Sequence, residues 1–92
     1  MSRLPISVQI CTLNEESNIE QIINCVNANH PAEVIVIDAG SNDNTIDICQ
    51  RLGVKLIVAG RIGLSAQRQV GVNSTEMPYI AMLDADDRPK PD

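Results

Sequence analysis

Val34-Ile35-Val36-Ile37 constrains the fold of this chain more than any other segment. Four consecutive β-branched aliphatic residues are stiff at χ1 and suit a pleated strand. With no polar residue among them, neither face of that strand tolerates water. Such a strand belongs in the middle of a sheet covered on both sides, the usual situation of parallel sheets. It stops at Asp38, and Ala39 to Thr45 follows as a turn rich in helix-capping residues.

The rest of the chain alternates periods around that strand. Ile6 to Cys11 alternates apolar and polar residues, which predicts a strand with one better-buried face. Ile19, Ile22, Ile23 and Val26 lie at helical spacing, Ser17 and Glu20 form a capping-box pattern ahead of them, and Asn29-His30-Pro31 ends the helix. A second helix carries Ile46, Ile48, Cys49 and Leu52 and stops at Gly53. Val54 to Val58 reads as a third strand. Gly60 and Gly63 bracket a loop before a shorter helix over 65–73, and Tyr79 to Leu83 is a fourth strand. The order β-α-β-α-β-α-β predicts a three-layer α/β fold with a parallel sheet and right-handed crossovers. If strand four returns beside strand one, the strand order is 3-2-1-4. Its switch point, where open α/β sheets bind ligands, then lies between strands one and four. Thr12, Asp38 and Asp84 all fall at strand carboxyl ends on that rim.

Composition narrows the partners. Ninety-two residues make one small domain or part of a larger one. With one Tyr and no Phe or Trp, the core is aliphatic and offers no stacking platform for single-stranded nucleic acid. A net charge of −5 argues against binding a phosphate backbone, so nucleic acid is not expected as a partner. Cys11, Cys25 and Cys49 fit no CxxC spacing and read as buried, reduced thiols. No signal-peptide pattern precedes Ile6 and no apolar stretch is long enough to span a bilayer, so a cytoplasmic location is expected.

Strand four breaks abruptly into Asp84-Ala85-Asp86-Asp87. Bunched carboxylates repel one another, and a divalent cation with oxygen ligands is the usual compensation. Alternation points Asp84 and Asp86 to the same side, so both can reach one ion. The plainer reading is a solvated acidic turn with Arg88 and Lys90 as neighbours. Neither GxGxxG nor GxxxxGK[ST] occurs, so a nucleotide site on this rim needs a cation to neutralise its diphosphate. Ser41 and Asp43 read as turn and cap residues, His30 as a surface turn residue, and Glu16 as favourable to a helix N-terminus.

The segments CTLNEE, VIVIDAGSNDNT, GLSAQRQVG and MLDADD occur in an order and spacing that resemble family-2 glycosyltransferases, over Ile6 to Asp87. The resemblance implies the GT-A fold, a nucleotide-diphospho-sugar transferase architecture of which residues 1–92 would be a single, incomplete domain. It implies transfer of a sugar from a nucleoside diphosphate, a UDP-sugar by preference, to the hydroxyl of a glycan or lipid-linked acceptor. It further implies that Asp86, with Asp84, holds Mn²⁺ or Mg²⁺ on the diphosphate and that Asp84 meets the ribose. Asp38 would face the base, Thr12 and Glu15 would line the same pocket, and Arg68 would lie near the base or sugar phosphate. The family's acceptor half and general base follow the DxD segment. Residues 1–92 by themselves are therefore expected to be inactive, with self-association through exposed sheet surface, and the full-length protein is expected at the inner face of the membrane. The chain departs from the family pattern at Cys11, Leu13, Ala39 and Gln69, where Pro, an aromatic residue, an acidic residue and Asn are frequent. An aspartyl-phosphate phosphatase or phosphotransferase using Asp84 and Asp86, and a non-catalytic nucleotide-binding domain, are the alternatives.

Overall fold

The computed structural model describes residues 3–85. Four strands, β1 (Leu4–Thr12), β2 (Pro31–Asp38), β3 (Lys55–Val58) and β4 (Tyr79–Asp84), alternate with three helices, α1 (Ile19–Asn27), α2 (Thr45–Leu52) and α3 (Leu64–Asn73). The sheet is parallel throughout, in the order β3-β2-β1-β4. This is the 3-2-1-4 arrangement expected from the sequence, with its switch point between β1 and β4.

The expected three layers follow from which residues each strand turns to each side. Ile10, Val34 and Val36 pack with Ile19 and Ile23 of α1 and Cys49 of α2 into one aliphatic cluster. The intervening residues, Gln9, Ile35 and Ile37, face the other way, where α3 covers them through Gln67 and Gly71. Val34 to Ile37 is buried on both faces, Ile35 to Ile37 completely. Gly53 ends α2 in the left-handed conformation at φ 73°, a position that an L side chain would strain.

Four local expectations need correction. The alternation in β1 does not mark a solvated face, because Ser7 and Gln9 are fully buried beneath α3. Ser17 does not cap α1; Asn18 is the N-cap residue, and Glu20 turns outward to pair with Arg51 at 2.8 Å. Pro31 opens β2 rather than merely ending α1. Of the cysteines, Cys11 and Cys49 are buried but Cys25 is exposed.

Among the described residues β4 is an edge strand with little cover. Tyr79, Ile80, Met82 and Leu83 are all exposed although every one is apolar in body. They alternate along the strand, so both faces of this edge present hydrocarbon to solvent.

Candidate functional site

A cavity of about 370 Å³ opens at the carboxyl ends of β1, β2 and β4. Its floor is Cys11 and Thr12 from the end of β1, Ala39 just after β2, and Asp84 at the end of β4. Its walls are Leu13 and Glu15 from the β1–α1 loop, Arg61 and Gly63 from the β3–α3 loop, and Leu64 and Gln67 from α3. The position is the topological switch point, where the strands on either side lead their connections apart and leave a crevice.

Two loops are laced together to make one wall. Ser41 accepts a hydrogen bond from the Asn14 amide at 2.8 Å, and Asn14 Oδ1 accepts one from the Asn42 amide at 2.8 Å. Thr45 Oγ1 accepts from the Glu15 amide at 2.8 Å and donates to Asp43 Oδ1 at 2.5 Å. Asn14 holds a positive φ of 55° to allow this, a conformation Asn tolerates better than most residues. Ser41 and Asp43 thus serve the turn, and His30, exposed at φ 54°, lies in the turn before β2.

Asp38 sits behind this wall rather than in the cavity. It is fully buried, and four donors converge on it. Thr12 Oγ1 and Ser41 Oγ donate to Oδ1 at 2.7 and 2.6 Å; the amides of Gly40 and Ser41 donate to Oδ2 at 2.8 and 2.7 Å. Burial pushes its pKa up, but the hydrogen bonds from Ser41, Thr12 and Gly40 together outweigh burial and the net shift is downward. A carboxylate so engaged has little capacity left for a ligand. Asp38 is not among the lining residues; it joins the ends of β1 and β2 and shapes the turn that Ala39 brings to the cavity.

The other sequence-picked residues divide. Thr12 and Glu15 line the cavity; the Thr12 hydroxyl proton is committed to Asp38, and Glu15 Oε1 accepts from Asn18 Nδ2 at 3.2 Å. Asp84 lines it too, and its Oδ2 is 2.7 Å from the Arg68 guanidinium. Arg68 is not among the lining residues and reaches the cavity only through this ion pair. Asp84 Oδ1 is buried and has no hydrogen-bond partner among the described residues. An orphan carboxylate oxygen is costly in a native fold and marks a place for a missing partner, so the donor set is suited to a hard cation. Asp86 lies outside the described residues, and among the described residues no group of three metal-ligating side chains forms.

Burial first, and the Asp84 charge second, push the Cys11 thiol up; Arg68 offsets them in part. It stays protonated and inert at neutral pH.

Two polar lining residues had no role assigned from the sequence, although Gln67 lies within the GLSAQRQVG segment. Gln67 is buried, and its Nε2 donates to the carbonyls of Ile37 at 2.6 Å and Thr12 at 3.3 Å, tying α3 to the ends of β1 and β2. The signal for it was the spacing of Leu64, Gln67 and Gly71 along one helix face. Arg61 stood between two glycines of a rim loop, which is a signal of exposure but not of chemistry. Three of the departures from the family pattern, Cys11, Leu13 and Ala39, line the cavity, whereas Gln69 bonds Asn73 on the exposed side of α3.

The model of the family described as Glycosyl transferase family 2 matches residues 7–92. A curated glycosyltransferase of Rickettsia bellii is 38% identical over 82 residues, which is 89% of this chain and 28% of the relative. One from Mycobacterium tuberculosis is 30% identical over 81 residues, 88% of this chain and 36% of the relative. Among solved structures, glucosyl-3-phosphoglycerate synthase from Mycobacterium tuberculosis superposes with a TM-score of 0.79 at 27% identity, over 88% of this chain and 33% of that one. That synthase has been crystallised with Mn²⁺, UDP-glucose and phosphoglyceric acid, and also with Mg²⁺ and UDP. The chain spans about a third of the length of the proteins it resembles.

Proposed function

The chain belongs to glycosyl transferase family 2, and from that premise we propose that it forms the donor-binding part of a metal-assisted glycosyltransferase. The donor is a nucleoside-diphosphate sugar, UDP-linked by preference, and the sugar passes to an acceptor hydroxyl. The observation that carries this reading is Asp84: a strand-end carboxylate on a cavity of about 370 Å³ at the switch point, one oxygen paired with Arg68 and the other without a partner among the described residues. The fold match to a synthase crystallised with Mn²⁺ and UDP-glucose supports the choice of ligand.

In this reading Asp84 Oδ1 and Asp86 hold Mn²⁺ or Mg²⁺. A cation bound there supplies Lewis-acid stabilisation of charge on the departing diphosphate. Arg68 fixes the Asp84 carboxylate in one rotamer, and Thr12 and Glu15 border the nucleoside. The acceptor class inferred from the family is a glycan or lipid-linked hydroxyl at the cytoplasmic face of a membrane. The synthase's complexes with phosphoglyceric acid and glycerol 3-phosphate make small phosphorylated acceptors the second class to test. Self-association belongs to the same proposal and is supported by the exposed apolar edge at β4.

Calorimetric titration of UDP with Mn²⁺, repeated in EDTA, tests the reading. Binding is expected only with the metal, and Asp86→Asn is expected to abolish the metal-dependent part while leaving uridine binding as it was. Equal UDP affinity in EDTA would remove the metal role, and equal loss of UDP and uridine in Asp86→Asn would restore the acidic-turn reading.

A further inference from the structure

We propose that Arg61 binds the diphosphate of the donor, a role no motif in the chain assigns to it; the inference rests on the donor-site reading above. Among the described residues the cavity is lined by two carboxylates, Glu15 and Asp84, and by one cationic side chain, Arg61. The nearby Arg68 is already neutralised by Asp84 at 2.7 Å. With a divalent cation held by Asp84 and Asp86, the ion, these two carboxylates and Arg68 together carry one positive charge, which Glu15 offsets, so the phosphates bring negative charge that this set leaves uncompensated. Arg61 is exposed, and among the described residues it makes no ion pair and no side-chain hydrogen bond. Among the described residues it is the lining cation left to meet that charge, and a guanidinium matches phosphate oxygens in a bidentate fork.

The loop that carries it is held at both ends. The Ala59 amide donates to the Asp38 carbonyl at 2.8 Å, fixing the start of the loop to the end of β2, and the Gln67 amide donates to the Gly63 carbonyl at 2.9 Å at the start of α3. Between them Gly60 and Gly63 take φ values of 83° and 92°, which a side chain would strain. Gly40 approaches from the β2–α2 turn, where an added Cβ would lie 3.8 Å from Gly60 Cα. Arg61 is thus presented at the cavity by an anchored backbone, with only its own side chain left to order on binding.

The test compares UDP with uridine in the presence of Mn²⁺, using the full chain and calorimetric titration. Arg61→Ala is expected to weaken UDP by about tenfold or more and to leave uridine within about twofold of wild type. Arg61→Lys, which keeps the charge and loses the fork, should fall between. The salt dependence of UDP binding should become shallower in Arg61→Ala, since one charge contact is gone. Arg3→Ala, at the opposite end of the strands, serves as the control and should match wild type, and unchanged thermal melting of Arg61→Ala confirms its fold. UDP affinity in Arg61→Ala within about twofold of wild type, or equal losses for UDP and uridine, overturns the assignment while the donor reading stands. A wild type that binds neither ligand overturns both.

Discussion

A single side chain organises the rim. Asp38 draws donors from β1, through Thr12, and from the turn after β2, through Gly40 and Ser41. Replacing it with Asn swaps one acceptor oxygen for a donor amide facing other donors. Asp38→Asn should therefore cost about 1–3 kcal/mol of stability, read from urea denaturation. The folded pKa of Asp38 lies below its ordinary value of 3.8. Its contribution is thus present in full above that value and is lost as pH falls through the lower, folded pKa. The wild-type protein should lose stability below about pH 4 more steeply than Asp38→Asn, which a series of melts across that range would show; parallel slopes would mean the carboxylate is not held ionised. The cysteines give a second test at this scale. Cys25 is exposed, whereas Cys11 is 7% and Cys49 0% exposed, with the Cys49 thiol pushed up to about 11 by burial and by the nearby Asp38 charge. A thiol-reactive dye should label one cysteine promptly in the native protein and the other two only on unfolding.

At the scale of elements, the pairing of α3 with the sheet decides whether the cavity keeps its shape. Gln9 Nε2 donates to the Gly71 carbonyl at 2.6 Å, and a Cβ on Gly71 would lie 2.3 Å from Gln9 Oε1 and 2.9 Å from Ile37 Cδ1. Gly71 is required by close approach, since its φ is not in the left-handed region. Gly71→Ala should push α3 off β1 and β2 and destabilise the fold by about 1–3 kcal/mol; a melting temperature equal to wild type would contradict this packing. These contacts also explain what the sequence could and could not reveal. The order of elements was legible because each helix and strand repeats its own period within a dozen residues, and the central position of β2 followed from its unbroken apolar run. Ser7 and Gln9 were misread because polar residues in an alternating strand usually face water, and the partner that buries Gln9 lies 62 residues along the chain. Asp38 was legible as a strand-end carboxylate, but its saturation was not, since one of its donors, Thr12, comes from a different strand. Arg61 was invisible for the related reason that its loop has no period at all, and Gln67, though on a helix face, because the carbonyls it bonds belong to β1 and β2.

For the molecule as a whole, the exposed β4 edge is the feature with the largest consequence for behaviour in solution. Tyr79, at 64% exposed, and Ile80, Met82 and Leu83, at about two-fifths, put hydrocarbon beside unpaired strand backbone. Residues 1–92 should self-associate at high concentration, and Met82→Lys should suppress this, as followed by sedimentation; a strict monomer throughout would count against it. The same strand has a consequence in time. Of the four described strands β1 leaves the ribosome first and β4 last, yet they lie side by side, with Cys11 in register with Asp84. Until β4 has been synthesised and released, β1 is paired on one side only, and the cavity lacks the floor that Asp84 supplies. Pairings between such distant segments are slow to form because the intervening chain must first be brought to order. A ligand thus has no complete cavity to bind until β4 has emerged, and a donor nucleotide can act on the late steps of this sheet's folding but not on the early ones.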